Sequence, residues 1–137
     1  MKKSVILILA IAVVLLICAV AYFMPLSLTN TVSENENIRI TFNEYVNTDL
    51  NSVEYEDITA EQKSAVLDLL EKYTYRRNFE TLFSNGTLTG TGTKTLYIFD
   101  NSDTIFVTEN GKISINGKIY YMKNAEQLID QIIEIME

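Results

Sequence analysis

The chain has 137 residues, no histidine, no tryptophan, one cysteine and a formal net charge of −7. Without histidine it lacks the usual general base, the commonest transition-metal ligand and every Ser-His or Cys-His pair, which excludes zinc centres and hydrolase triads. The acidic balance speaks against nucleic acid as a partner, because a polyanion is bound through Lys and Arg.

Residues 5–24 form an apolar run of 20 residues without a charge, preceded by Lys2 and Lys3 and stopped at Pro25. At about 1.5 Å per helical residue this length matches the roughly 30 Å hydrocarbon core of a bilayer. The first basic residue beyond the run is Arg39. The basic flank therefore lies on the N-terminal side, which predicts a cytoplasmic N-terminus and places residues 29–137 outside the membrane. Residues 1–28 are expected to be a single-pass membrane anchor. A cleaved signal peptide fits the same letters, with Ala19 and Ala21 in an A-x-A arrangement, although no polar segment separates Cys18 from Ala21 and the apolar run continues through Met24. Lipid attachment at Cys18 is a third reading, in which Ile17 stands where a lipobox requires a small residue.

Cys18, the one cysteine, lies inside this run, so the outer part forms no internal disulfide. A cysteine-free exported domain rich in Asn, Ile, Lys and Glu suggests a Gram-positive bacterium. All 18 acidic side chains but only nine of the 11 basic ones lie beyond residue 24, so that part carries −9. Cationic proteins, cations or neutral surfaces suit such a charge as contacts.

A polar tether is expected over residues 29–37 and one domain over residues 38–137. Ile38, Ile40 and Phe42 alternate with Arg39, Thr41 and Asn43 and predict a strand, with a shorter one at Val53 and Tyr55. Thr59 predicts a helix cap, with Gln62 completing a capping box, and Val66, Leu69, Leu70 and Tyr73 form one apolar stripe. Asp68 and Lys72 suggest an i, i+4 pair on its flank, and Arg76 with Arg77 a complement to its dipole. Asn85-Gly86 and residues 87–93 read as a flexible connection. Leu96-Tyr97-Ile98-Phe99 is apolar on both faces like an interior strand, and residues 100–103 read as a turn. Strands at 105–107, 113–115 and 119–122 follow, joined at Asn110-Gly111 and Asn116-Gly117. Asn124, with Gln127, predicts the cap of a last helix carrying Leu128, Ile129, Ile132, Ile133, Ile135 and Met136.

The expected fold is α+β: an N-terminal transmembrane helix followed by an antiparallel β-meander sheet with two packed helices. The segment 59–73, the meander, and Ile115-Asn116-Gly117-Lys118-Ile119-Tyr120-Tyr121 followed by residues 124–128 resemble small exported or membrane-anchored single-domain proteins of unknown function from Gram-positive bacteria. The resemblance covers most of residues 38–137. It implies a fold and an extracytoplasmic location, and no functional residues.

No motif in the outer part carries catalytic, cofactor or metal chemistry. Gly90-Thr91-Gly92-Thr93-Lys94-Thr95 is superficially like a phosphate loop but lacks the glycine before the lysine, and a strand follows where a helix should begin. No nucleotide is expected as a ligand. Asp100-Asn101-Ser102-Asp103 lacks the alternating ligands, glycine and closing glutamate of a calcium loop and is better read as a β-turn. Asn85-Gly86-Thr87 matches a glycosylation acceptor, which has meaning only in a eukaryotic host.

Two surfaces are candidates for a partner. Strand alternation assigns Leu96, Ile98, Ile105, Val107, Ile113, Ile115, Ile119 and Tyr121 to one sheet face and Tyr97, Phe99, Phe106, Tyr120 and Met122 to the other. The aromatic residues Tyr97, Phe99, Phe106 and Tyr120 would then form a docking patch unless another segment covers them. Glu126, Asp130 and Glu134 recur at i, i+4 and i+8 as an acidic ridge suited to a basic partner, or to water. The reading that follows is a membrane-anchored extracytoplasmic binding or accessory module, non-enzymatic and without a cofactor. It contacts the membrane through residues 5–24 and a basic or aromatic-binding protein through one of these surfaces. The alternatives are a secreted domain after signal cleavage, and a hydrolase or transferase built on carboxylates such as Glu54, Glu56, Asp57, Asp100 and Asp103.

Overall fold

The computed structural model describes residues 2–32, 37–85, 88, 92–100 and 103–137. Among these residues the fold is α+β: an apolar N-terminal helix, one eight-stranded antiparallel sheet and three further helices. The first helix, α1 (Lys3–Tyr22), buries none of its residues. It ends three residues before Pro25, whose missing N–H and ring sterics stop a helix from continuing.

The domain begins earlier than the sequence suggests. Strand β1 (Leu26–Ser27) pairs with β4 (Thr74–Arg76), with Leu26 opposite Tyr75. A 3-10 turn at Leu28–Thr31 follows, and Leu28, fully buried, donates its N–H to Tyr73 O at 3.3 Å. Val32 is also in the core. The expected boundary at residue 28 and the tether from residue 29 are therefore corrected. Tertiary pairing overrides the polar composition of Thr29, Asn30 and Thr31, while residues 33–36 of the expected tether lie outside the described residues.

Strands β2 (Arg39–Val46) and β3 (Asp49–Tyr55) form a long hairpin, in which Val46 pairs with Asp49 across Asn47-Thr48. Helix α2 (Ala60–Leu70) starts at Thr59 with the expected reciprocal box: Gln62 N–H donates to Thr59 Oγ1 and Thr59 N–H to Gln62 Oε1. Val66, Leu69 and Leu70 are its buried stripe. Because α2 stops at Leu70, Lys72 falls beyond it and makes no ion pair with Asp68 among the described residues. Arg76 and Arg77 likewise do not complement its dipole, since Arg76 is in β4 opposite Tyr121.

After the short helix α3 (Phe79–Phe83), strands β5 (Lys94–Phe99), β6 (Thr104–Thr108), β7 (Lys112–Ile115) and β8 (Lys118–Met122) make the expected meander. Much of the expected connection before β5, and the centre of the 100–103 turn, lie outside the described residues. So do Gly86 and Thr87 of the acceptor motif and Gly90-Thr91 of the phosphate-loop-like stretch. The two Asn-Gly connections differ. Asn116 (φ 49°) and Gly117 (φ 80°) form a two-residue turn with both residues left-handed, as a type I′ hairpin requires. Glu109, Asn110 and Gly111 form a three-residue loop in which only Gly111 has positive φ, 92°, and its N–H donates to Thr108 O.

The strand order is β1-β4-β8-β7-β6-β5-β2-β3. With neighbouring strands about 4.8 Å apart, seven spacings put β3 about 34 Å from β1, at the opposite edge. Helices α2 and α4 (Ala125–Met136) pack together on one face, where Gln62 Nε2 donates to Ile135 O at 3.3 Å and Tyr73, three residues beyond α2, donates its Oη–H to Gln131 Oε1 at 2.7 Å. Leu128, Ile129, Ile132 and Met136 of α4 close the core against Leu96, Ile98, Ile105, Val107, Ile113 and Ile115. Asn124 precedes α4 in a left-handed conformation, φ 57°, and its side chain caps nothing. A left-handed residue turns its side chain away from the amides that a β-region cap would reach, so the expected cap is corrected.

Candidate functional site

Sheet register sorts the expected surface residues. Leu96 pairs with Val107, and Val107 with Ile113, which fixes the core face; Tyr97 pairs with Phe106, and Phe99 with Thr104, on the outer face. Rings of Tyr97 and Phe106 stack at 4.2 Å, and Tyr97 and Phe99 lie parallel at 5.7 Å. Arg39 lies over Phe99 at 5.1 Å while its Nε meets Glu54 at 3.3 Å, so the guanidinium borders the aromatic cluster. Tyr97, Phe99 and Phe106 are each half-buried. Burial, and secondarily the neighbouring Tyr45, holds the Tyr97 phenol above its usual pKa, so it stays a neutral donor and acceptor well above pH 7.

Tyr120 does not join them. The tight Asn116-Gly117 turn sets Ile115 opposite Lys118 and Ile113 opposite Tyr120, which turns Tyr120 and Met122 to the helix-covered face. Tyr120 meets Tyr75 edge-on at 4.9 Å and packs on the core. Ile119 and Tyr121 take the outer face instead. The faces of β8 are therefore the reverse of those expected from alternation, because a one-residue shift in register inverts every side chain of a strand.

The acidic ridge is partly neutralised from within the domain. Lys94, on the core-side edge of β5, reaches Asp130 Oδ1 at 3.1 Å and Glu126 Oε1 at 3.6 Å. Its ammonium is held above the usual pKa chiefly by the hydrogen bond to Asp130, against some loss from burial. Glu134 is exposed and makes no ion pair among the described residues.

Of the five carboxylates considered for catalysis, Glu54, Glu56 and Asp57 border one open groove with Gln62 and Met136. Both glutamates face Arg39, with Glu56 at 4.0 Å. Asp100 instead accepts the Asp103 N–H at its Oδ1, and Asp103 accepts from Asn116 Nδ2, so this pair ties two turns together. Among the described residues, no three Asp, Glu or Cys side chains are grouped to hold a metal ion.

One surface escaped the sequence. Asn78 caps α3 with a reciprocal box: its Oδ1 accepts from Thr81 N, and its own N–H donates to Thr81 Oγ1. Thr81 is buried, Glu80 pairs with Lys112 at 3.3 Å, and Ser84 Oγ accepts the Ile119 N–H at 3.2 Å. These polar groups tie α3 to the sheet, whereas Phe79, Leu82 and Phe83 are 72%, 55% and 85% exposed. Five residues give too little periodicity to mark a helix, but Asn78 three residues before Thr81 carries the cap signal.

In comparisons with known proteins, no family model, no curated protein and no solved structure matches the chain.

Proposed function

We propose that this is a single-pass membrane protein with a cytoplasmic N-terminus, holding a non-enzymatic α+β binding module on the outer side of the membrane. The exported and membrane-anchored Gram-positive proteins it resembles would share that arrangement. One observation carries the reading: α1 is solvent-exposed along its apolar length, yet four residues beyond its end the chain is already a strand of the sheet. A 20-residue apolar helix that buries none of its residues, and meets the domain at its last residue Tyr22, finds its solvent in lipid, where about 30 Å of hydrocarbon matches its length. The module's partner is a protein that covers the Tyr97, Phe99 and Phe106 cluster, with Arg39 at its rim. Half-buried stacked rings beside a charged edge suit such a contact.

A photo-crosslinking residue placed at Tyr121, on the same outer face, should capture a discrete partner in intact cells. The F99S/F106S chain should lose that product. Retention of the product by a folded F99S/F106S chain would overturn the aromatic cluster as the contact.

The secreted alternative has one feature in its favour. Ala19 and Ala21 lie in the last turn of α1, directly before Tyr22, which Arg77 ties to the domain. Cleavage there would leave β1 and Leu28 in place.

A further inference from the structure

We propose that α3 is a second membrane contact, in which Phe79, Leu82 and Phe83 enter the outer leaflet of the bilayer that α1 spans; this rests on the anchor reading above. The helix is inverted relative to an ordinary surface helix. Glu80 reaches the sheet at Lys112 and Thr81 is buried against its Asn78 cap, whereas the large apolar residues of the helix are exposed. Single exposed apolar residues need no explanation, but three contiguous on five residues form a patch that needs a cover.

The position of that patch selects the cover. The Phe79 ring lies 5.5 Å from that of Phe23, the residue capping the C-terminal end of α1. Arg77 Nη1 donates to Tyr22 O at 3.4 Å, and its guanidinium lies 5.4 Å over the Tyr22 ring. If α1 fills the hydrocarbon core, Tyr22 and Phe23 stand at its outer boundary, the level where aromatic rings and long basic side chains collect. Helix α3 is continuous with that boundary through the Phe79–Phe23 contact, and Arg77, two residues before it, holds Tyr22, so its apolar side meets acyl chains. Helix α3 and the turn at Pro25 then fix the domain's tilt on the membrane, rather than leaving it to swing on a tether. The mode is that of an interfacial helix whose binding follows the apolar area it buries.

Because the chain has no tryptophan, a single substitution gives a unique fluorescent reporter. Full-length F83W, V14W and S52W chains are reconstituted in phosphatidylcholine/phosphatidylglycerol vesicles with or without brominated acyl chains, with folding checked by circular dichroism. The expected result is strong quenching of F83W and V14W by the brominated lipid, and quenching of S52W only by aqueous iodide. Quenching of V14W without F83W would overturn the α3 contact and leave the anchor standing. Failure of both would overturn the anchor and the inference together.

Discussion

Leu26 pairs with Tyr75 in the sheet, so the chain leaving the apolar helix is bonded into the domain within four residues. Leu28, next to that strand, is fully buried among residues of α2 and the sheet. L28A should therefore cost about 2–5 kcal/mol, the range for truncating a buried leucine. A fragment beginning at residue 38 should be far less stable than one beginning at residue 25. Urea unfolding of the two fragments and of L28A checks both statements.

Gly111 and Gly117 both have positive φ, yet their surroundings differ. A Cβ on Gly117 meets nothing within 4 Å, whereas one on Gly111 would stand 2.6 Å from Met122 O. G117A should cost only the left-handed backbone term, about 1–2 kcal/mol. G111A should cost clearly more, because Met122 O belongs to a paired strand. Equal urea midpoints for the two variants would contradict the register of the β6–β8 hairpins.

The same turn shows what the sequence could and could not carry. Thr59 and Gln62 announced α2, and the two Asn-Gly pairs announced the meander, because caps and left-handed turns depend on a few adjacent residues. The strands at Leu26–Ser27 and Thr74–Arg76 left no such trace, since two or three residues become a strand only when a partner 47 to 49 positions away pairs with them. Tyr120 was misplaced for a related reason: alternation gives the period of β8, while its phase is set by the turn length. Of the expected surfaces, Tyr97, Phe99 and Phe106 were legible because their strands are regular. The Glu126 and Asp130 ridge was legible as a pattern, but its partner Lys94 lies 32 and 36 residues away.

That pairing is worth little in stability, since Asp130 and Glu126 are more than half exposed. A K94M/D130N double-mutant cycle should give a coupling of about 1 kcal/mol or less, falling with salt. E134K should leave the unfolding free energy, read by urea titration, within about 0.5 kcal/mol of the parent.

Tyr73, Tyr75 and Tyr97 all have raised pKa values, caused first by burial, and Lys94 is raised first by its bond to Asp130. For each group the folded chain holds its proton more tightly than the unfolded chain does. Their stabilisation is complete below the unfolded values of 10.0 and 10.5 and is lost as pH rises through the folded ones. The urea midpoint should fall above pH 10, and less steeply in Y97F. A rise in stability there would contradict the burial of these phenols.

The most direct test of the anchored module is the fate of α1 in the mature protein, read by N-terminal sequencing of the membrane and soluble fractions after alkaline carbonate washing. The anchor predicts a mature chain that still contains residues 2–21 and stays with the membrane. A mature chain that begins at Tyr22 and partitions into the soluble fraction would contradict it.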